Sequence, residues 1–94
     1  MNDDLRYDVP AHVVARDVGG ETILLDLEEG GYFGLDPLGA RIWMGLSEGR
    51  APAQIRADLL NDYDVSDDQL RGDMDALIGD LLEKGLLCPV ESAK

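Results

Sequence analysis

Basic residues are scarce in this chain. Eight Lys and Arg stand against 20 Asp and Glu, which gives a formal net charge of −12 over 94 residues. Proteins that bind phosphate backbones neutralise them with Lys and Arg, whereas a surface this acidic repels them. The charge argues against nucleic acid and anionic membranes as partners. It leaves open a neutral or basic polypeptide, or no role beyond keeping a small protein in solution.

Cysteine and histidine are almost absent as well. Cys88 is the only cysteine and His12 the only histidine, so no intramolecular disulfide can form and the usual zinc ligand sets are missing. We find no nucleophile–base pair, and neither a Walker nor a dinucleotide-binding spacing follows the glycines. The sequence therefore predicts a protein that is not an enzyme, with no catalytic residue, no metal and no cofactor.

Long apolar runs are missing too. The unbroken apolar stretches fall far short of a membrane span, and Met1 to Asp8 contains three aspartates and no apolar segment like that of a signal peptide. We therefore expect a cytoplasmic protein. Its length corresponds to one domain, which we place at residues 11–90, between a flexible lead-in over 1–10 and a tail over 91–94.

The first half of the chain predicts three short strands. His12 to Asp17 is apolar and β-branched, Glu21 to Leu27 alternates with period two, and Tyr32 to Leu35 is short and uncharged. Gly19-Gly20 and Gly30-Gly31 are typical of the tight turns that join antiparallel strands. The strands thus predict an antiparallel meander.

The second half has the period of helices. Asp36-Pro37 is a good start for a first helix that ends at Gly49, because Asp caps and Pro fits the first helical position. Ala51-Pro52 opens a second helix. Ser66 and Gln69 form the capping box of a third, which runs to about Lys84.

The predicted fold is therefore α+β: a three-stranded antiparallel sheet followed by three helices. Helices must cover one face of the sheet. In the second strand, we expect that face to carry Ile23, Leu25 and Leu27.

Two features suit this fold to peptide binding. The third predicted strand has no charge, proline or bulge to protect its edge, so it could accept an added strand. On the third helix, the apolar residues cover an arc of roughly 140°, wider than the stripe needed to face a core. Asp73 and Asp80 lie along one border of this arc. Either feature also fits an ordinary core, in which Tyr32 and Phe33 simply pack inside.

The sequence also resembles the PqqD-like family. The resemblance covers about residues 11–88, and its motifs are the following strings: Gly20-Glu21-Thr22-Ile23-Leu24-Leu25-Asp26-Leu27, Gly31-Tyr32-Phe33-Gly34-Leu35, Gly39-Ala40-Arg41-Ile42-Trp43 and Asp73-Met74-Asp75-Ala76-Leu77, with Leu81-Leu82 and Gly85-Leu86-Leu87. Within the family, the chain is most similar to the stand-alone leader-binding proteins of lasso-peptide biosynthesis.

This resemblance implies a winged helix-turn-helix-like RiPP recognition element. Such proteins bind the leader of a ribosomally made precursor peptide as an extra strand on the third strand, with the third helix as the opposite wall. By position, the residues implied are Gly31, Tyr32, Phe33, Gly34 and Leu35 on the strand, and Leu70, Asp73, Met74, Leu77 and Leu81 on the helix. The implied partners are a transglutaminase-like cysteine protease that removes the leader and an asparagine-synthetase-like cyclase.

Two alternatives remain at this point. The same domain could act as a PqqD-like peptide chaperone in another RiPP pathway, such as one run by a radical enzyme. The fold class also permits a winged-helix DNA-binding protein, which the net charge and the single Arg71 on the third helix oppose.

Overall fold

The computed structural model describes residues 6–90. In order, its elements are β1 (Tyr7–Asp8), β2 (Val13–Val18), β3 (Glu21–Asp26), β4 (Tyr32–Leu35), α1 (Pro37–Ser47), α2 (Pro52–Asp62), α3 (Asp67–Glu83) and β5 (Cys88–Pro89). The three predicted strands are β2, β3 and β4, and the three predicted helices are α1 to α3. The predicted α+β, winged helix-turn-helix-like fold is confirmed.

The strands β2, β3 and β4 form one antiparallel sheet in that order. Gly19 and Gly20 join β2 to β3 with φ values of 60° and 88°, the left-handed region that a two-residue hairpin turn requires. Along β3 and β4, Ile23 lies opposite Gly34, and Leu25 lies opposite Tyr32. Since β3 is central, β4 is one edge of the sheet.

The two faces of the sheet differ from our expectation. Leu24 and Asp26 of β3 are buried against the helices, whereas Ile23 and Leu25 lie half-buried on the opposite face and Leu27 is 65% exposed. The prediction that Ile23, Leu25 and Leu27 face the helices is wrong. We call the helix-facing side the inner face and the other side the outer face.

The helices begin and end where the sequence predicts. The Asp36 carboxylate accepts the backbone N–H of Gly39 at 2.7 Å and caps α1. At the start of α3, the Ser66 hydroxyl oxygen accepts the backbone N–H of Gln69 at 3.1 Å. The helices pack on the inner face of the sheet to form the core. Its largest fully buried residues are Leu24, Ile42, Leu46, Pro52, Leu59, Leu70, Met74 and Leu81.

Part of the lead-in that we expected over residues 1–10 forms the strand β1. Tyr7 and Asp8 pair antiparallel with Pro89 and Cys88 in a separate two-stranded sheet, and the Tyr7 side chain is 4% exposed. Burial of this phenol raises its pKa, and the Asp75 carboxylate adds to the effect. Residues 1–5 and 91–94 of the predicted divisions lie outside the described residues. Within residues 6–90, no helix is long and apolar enough to cross a membrane.

Candidate functional site

The open edge of β4 carries free backbone groups. In the β3–β4 hairpin, the N–H of Asp26 donates to the carbonyl of Gly31 at 2.9 Å. Bonded residues alternate along an antiparallel pair, so Phe33 and Leu35 also bond toward β3. The N–H and C=O groups of Tyr32 and Gly34 therefore point away from β3. In the part of the chain that the structure describes, no strand pairs with this edge.

A groove of about 460 Å³ runs beside this edge on the inner face. Three elements line it: β4, the first turns of α1, and α3. The lining residues are Phe33, Gly34, Leu35, Asp36, Leu38, Gly39, Ile42, Asp73 and Leu77. The groove is therefore open between the free strand edge and one side of α3.

The predicted strand residues all lie at this edge, with different exposures. Gly31, Tyr32 and Gly34 are exposed, and Tyr32 has 78% of its surface in solvent. Phe33 is half-buried and borders the groove, whereas Leu35 is 5% exposed and contributes mainly to the core. The strand thus offers its backbone at Tyr32 and Gly34 and a side chain at Phe33.

The five predicted helix residues fall into two groups, one in the core and one at the groove. Leu70, Met74 and Leu81 are fully buried among other core residues and do not line the groove. Asp73 is exposed and Leu77 is half-buried, and both line it. Only Asp73 and Leu77, one turn apart on α3, therefore form this wall of the groove, rather than the whole apolar arc of the helix.

The sequence reasoning missed the contribution of α1. The N-cap Asp36 and the α1 residues Leu38, Gly39 and Ile42 line the groove. A signal for this was present, because Asp36-Pro37 starts a helix directly after β4 and so keeps its first turn beside the strand. A Cβ on Gly39 would lie 3.0 Å from the capping oxygen of Asp36, so a larger residue at position 39 would crowd the cap.

The turn before β4 is held by Asp26. Its carboxylate accepts the backbone N–H groups of Glu28 and Glu29, each at 3.0 Å. The bond from Glu29 is the main cause that lowers the pKa of Asp26; the bond from Glu28 and the nearby His12 also lower it, and burial opposes them. These bonds explain why an acidic residue is buried here, and they fix where β4 begins.

The charges around the groove are acidic. Asp36 and Asp73 both border it, and no cation lines it among the described residues. Arg71, the one basic residue that we placed on the third helix, instead pairs with Asp67 at 3.3 Å. An apolar floor between two carboxylates suits a ligand with an apolar anchor and a nearby cation.

Two other hollows differ from this groove. One of about 240 Å³ lies at the start of β4 and includes neither Asp73 nor Leu77; its lining residues are Asp26, Glu29, Gly31, Tyr32, Lys84 and Leu86. A groove of about 310 Å³ lies between α1 and α2, where Arg50 pairs with Asp58, and it includes no residue of β4 or α3. Among residues 6–90, no group of three or more His, Cys, Asp or Glu is arranged to hold a metal ion. The edge and groove at β4 are therefore the site that the predicted strand and helix residues share.

Comparisons with known proteins identify the family and two similar solved structures. The sequence profile of the family described as coenzyme PQQ synthesis protein D (PqqD) matches residues 21–87. The solved structure "TbiB1 in Complex with the TbiA(beta) Leader Peptide" is 35% identical with a TM-score of 0.78, covering 85% of this chain and 93% of that one. "Lasso peptide synthetase B1 complexed with the leader peptide" is 26% identical with a TM-score of 0.83, covering 89% and 99%. The comparison with curated proteins gave no match.

Proposed function

Since the chain belongs to the PqqD family and is a PqqD-like RiPP recognition element, we propose that it binds the leader of a ribosomally made precursor peptide. The observation that carries this proposal is the free edge of β4 beside an apolar groove. Both solved structures described above contain a leader peptide. One of them is a lasso peptide synthetase B1, which supports the lasso-peptide pathway over other RiPP pathways.

The leader binds by adding a strand to β4. Its backbone pairs with the N–H and C=O groups of Tyr32 and Gly34, which gives up to four hydrogen bonds of about 1 kcal/mol net each. Such bonds fix register but read no sequence. Alternate leader side chains enter the groove, where apolar ones pack on Phe33 and Leu77. These contacts supply the remaining affinity and the selectivity.

Electrostatics favours a basic residue close to the apolar anchors of the leader. Asp36 and Asp73 border the groove, and the chain as a whole carries −12. This field attracts a cationic peptide and speeds its encounter with the protein. It repels DNA, which is why the winged-helix shape of the fold does not favour a DNA-binding role here.

The protein itself catalyses nothing in this proposal. In the cytoplasm, it holds the leader so that the rest of the precursor is presented to a leader-removing, transglutaminase-like cysteine protease and to an asparagine-synthetase-like cyclase. Binding the leader beside these enzymes raises the effective concentration of their substrate.

A fluorescence-polarisation titration tests the proposal. The probe is a fluorescein-labelled leader peptide from the precursor gene next to the one that encodes this chain. We expect saturable binding in the nanomolar to low-micromolar range, about −8 to −12 kcal/mol. Folded protein that shows no saturable binding would refute leader recognition by this domain alone.

A proline variant tests strand addition specifically. Gly34→Pro removes an N–H that points to the open edge, so the β3–β4 bonds survive. The lost bond leaves a leader carbonyl unpaired, which costs about 1–3 kcal/mol, or roughly five- to 150-fold in affinity. Gly34→Ala keeps the N–H, so the loss caused by Gly34→Pro is measured against Gly34→Ala, which carries the effect of an added Cβ alone. Leu35→Pro is unsuitable, because Leu35 bonds toward Thr22 and is buried.

A further inference from the structure

The outer face of the sheet has a notch at its open edge. Gly34 has no side chain, and a Cβ built on it would meet no atom within 4 Å. Across the sheet, Gly34 lies opposite Ile23, which is half-buried on this face. Along the strand, the ring of Tyr32 stands 78% exposed. Gly34 thus leaves open space between Ile23 and the edge of the sheet, and we call this space the notch.

A strand added to β4 would place side chains on both faces. The backbone groups of Gly34 point to the edge, so one residue of an added strand pairs with it directly. Paired residues lie on the same face, so the side chain of this residue is directed to the outer face. Ile23 is two strand spacings, about 10 Å, from the added strand. A leader side chain can contact Ile23 only if it is long and if the residue between them, Gly34, has no side chain.

We propose that the notch over Gly34 is a second reading site for the leader, on the opposite face from the groove. It takes a large apolar or aromatic side chain from the leader residue that pairs with Gly34. That side chain lies across the glycine, packs on Ile23 and lies beside Tyr32. Aromatic side chains have the reach for such diagonal contacts between strands, and they are known to cover glycines at sheet edges.

This inference rests on the proposed function, because it requires the leader to lie along β4. It assigns the outer face to the leader rather than to a second copy of the chain. Two copies paired edge to edge would bring together net charges of −12 each. A leader with a basic residue is instead attracted by this negative charge.

Double-mutant cycles between protein and leader test the notch. The probe is the labelled leader used above, with alanine placed at each position in turn, and the protein variant is Ile23→Thr. At one leader position, alanine should weaken binding to the wild-type protein roughly three- to tenfold. Ile23→Thr should cause a similar loss, and the two changes together should cost no more than either alone.

Two variants make the test specific. Gly34→Val fills the notch, so the coupling between Ile23 and that leader position should disappear in its background. Val14→Thr makes a similar change on the outer face, in the far strand β2, and should leave the affinity unchanged. If Ile23→Thr lowers the folded fraction, Ile23→Val replaces it, with a smaller loss expected at the same leader position.

The outcomes separate this inference from the proposed function. Folded protein that binds no leader overturns both. Saturable leader binding in which no position couples to Ile23 overturns the notch alone. Sedimentation that shows dimers of the free chain, weakened by Ile23→Thr while leader binding is unchanged, would assign the face to a second copy and also overturn it.

Discussion

Two residues of α3, three positions apart, should respond oppositely to truncation. Met74 is fully buried in the core, whereas Leu77 is half-buried and lines the groove. Met74→Ala should reduce the free energy of unfolding by about 2–5 kcal/mol and leave the leader affinity of the folded fraction unchanged. Leu77→Ala should reduce affinity with a much smaller loss of stability.

The size of the Leu77 effect follows from its position. The truncation removes three carbon atoms, each contributing about 0.8 kcal/mol when fully buried. Because Leu77 already packs partly against the core, we assign roughly 1 kcal/mol to contact with the leader. This corresponds to about a fivefold loss of affinity.

The assay combines two measurements on each variant. Urea unfolding is followed by the fluorescence of Trp43, which is 3% exposed and will report loss of the core. Leader binding is followed by polarisation, at concentrations corrected for the folded fraction. The reasoning would be refuted if folded Leu77→Ala bound the leader normally, or if folded Met74→Ala bound it more weakly than Leu77→Ala.

Three further predictions concern packing, helix propensity and the turn before β4. Gly45→Ala should destabilise the domain by roughly 1–3 kcal/mol, because its Cβ would lie 2.7 Å from a carbon of buried Ile55. Gly79→Ala, whose Cβ meets nothing within 4 Å, should stabilise it by about 0.5–1 kcal/mol. A urea midpoint equal to that of wild type would contradict the prediction for either variant. The pKa of Asp26 is lowered below 3.8 by folding, so its stabilising effect is complete above about pH 4 and disappears as the pH falls through the lowered value. Asp26→Asn should therefore be less stable than wild type at neutral pH and lose this difference in acid, whereas a difference constant with pH would count against the argument.

Much of the fold could be predicted because local signals at the ends of its elements agree with one another. Asp36-Pro37 and Ser66 start helices for reasons that lie within one turn of chain, and Gly19-Gly20 makes a hairpin by itself. These signals placed the strand Tyr32–Leu35 next to a helix start. They therefore located the free edge, although the sequence reasoning did not use the helix start to place α1 beside it.

The faces of β3 could not be predicted in the same way. Apolar side chains occur on both sides of this strand, so its alternation did not decide between Leu24 and Leu25. In the folded chain, Asp26 favours the face that it shares with Leu24 as the inner one, because its buried carboxylate accepts two backbone N–H groups there. That requirement depends on the shape of the following turn, which composition alone does not reveal.

On α3, the width of the apolar arc indicated a surface beyond the core, but the sequence did not show which residues of the arc belong to the core and which to the groove. Four residues at helical spacing, Leu70, Met74, Ile78 and Leu81, are used by the core. Leu77 remains at the border because the elements facing it are β4 and α1 rather than α2. Only the packing of the neighbouring elements separates a core position from a groove position.

The pairing of β1 with β5 brings the two ends of the described chain side by side. Tyr7 lies opposite Pro89, and the N–H of Val90 donates to the carbonyl of Arg6 at 2.9 Å. The polypeptide therefore enters and leaves at one place, about one strand spacing (~5 Å) apart. A larger protein could carry this domain within a surface loop without separating the flanks of that loop. For the same reason, joining the two ends and opening the exposed turn at Gly19-Gly20 would give a circular permutant with the edge of β4 unchanged.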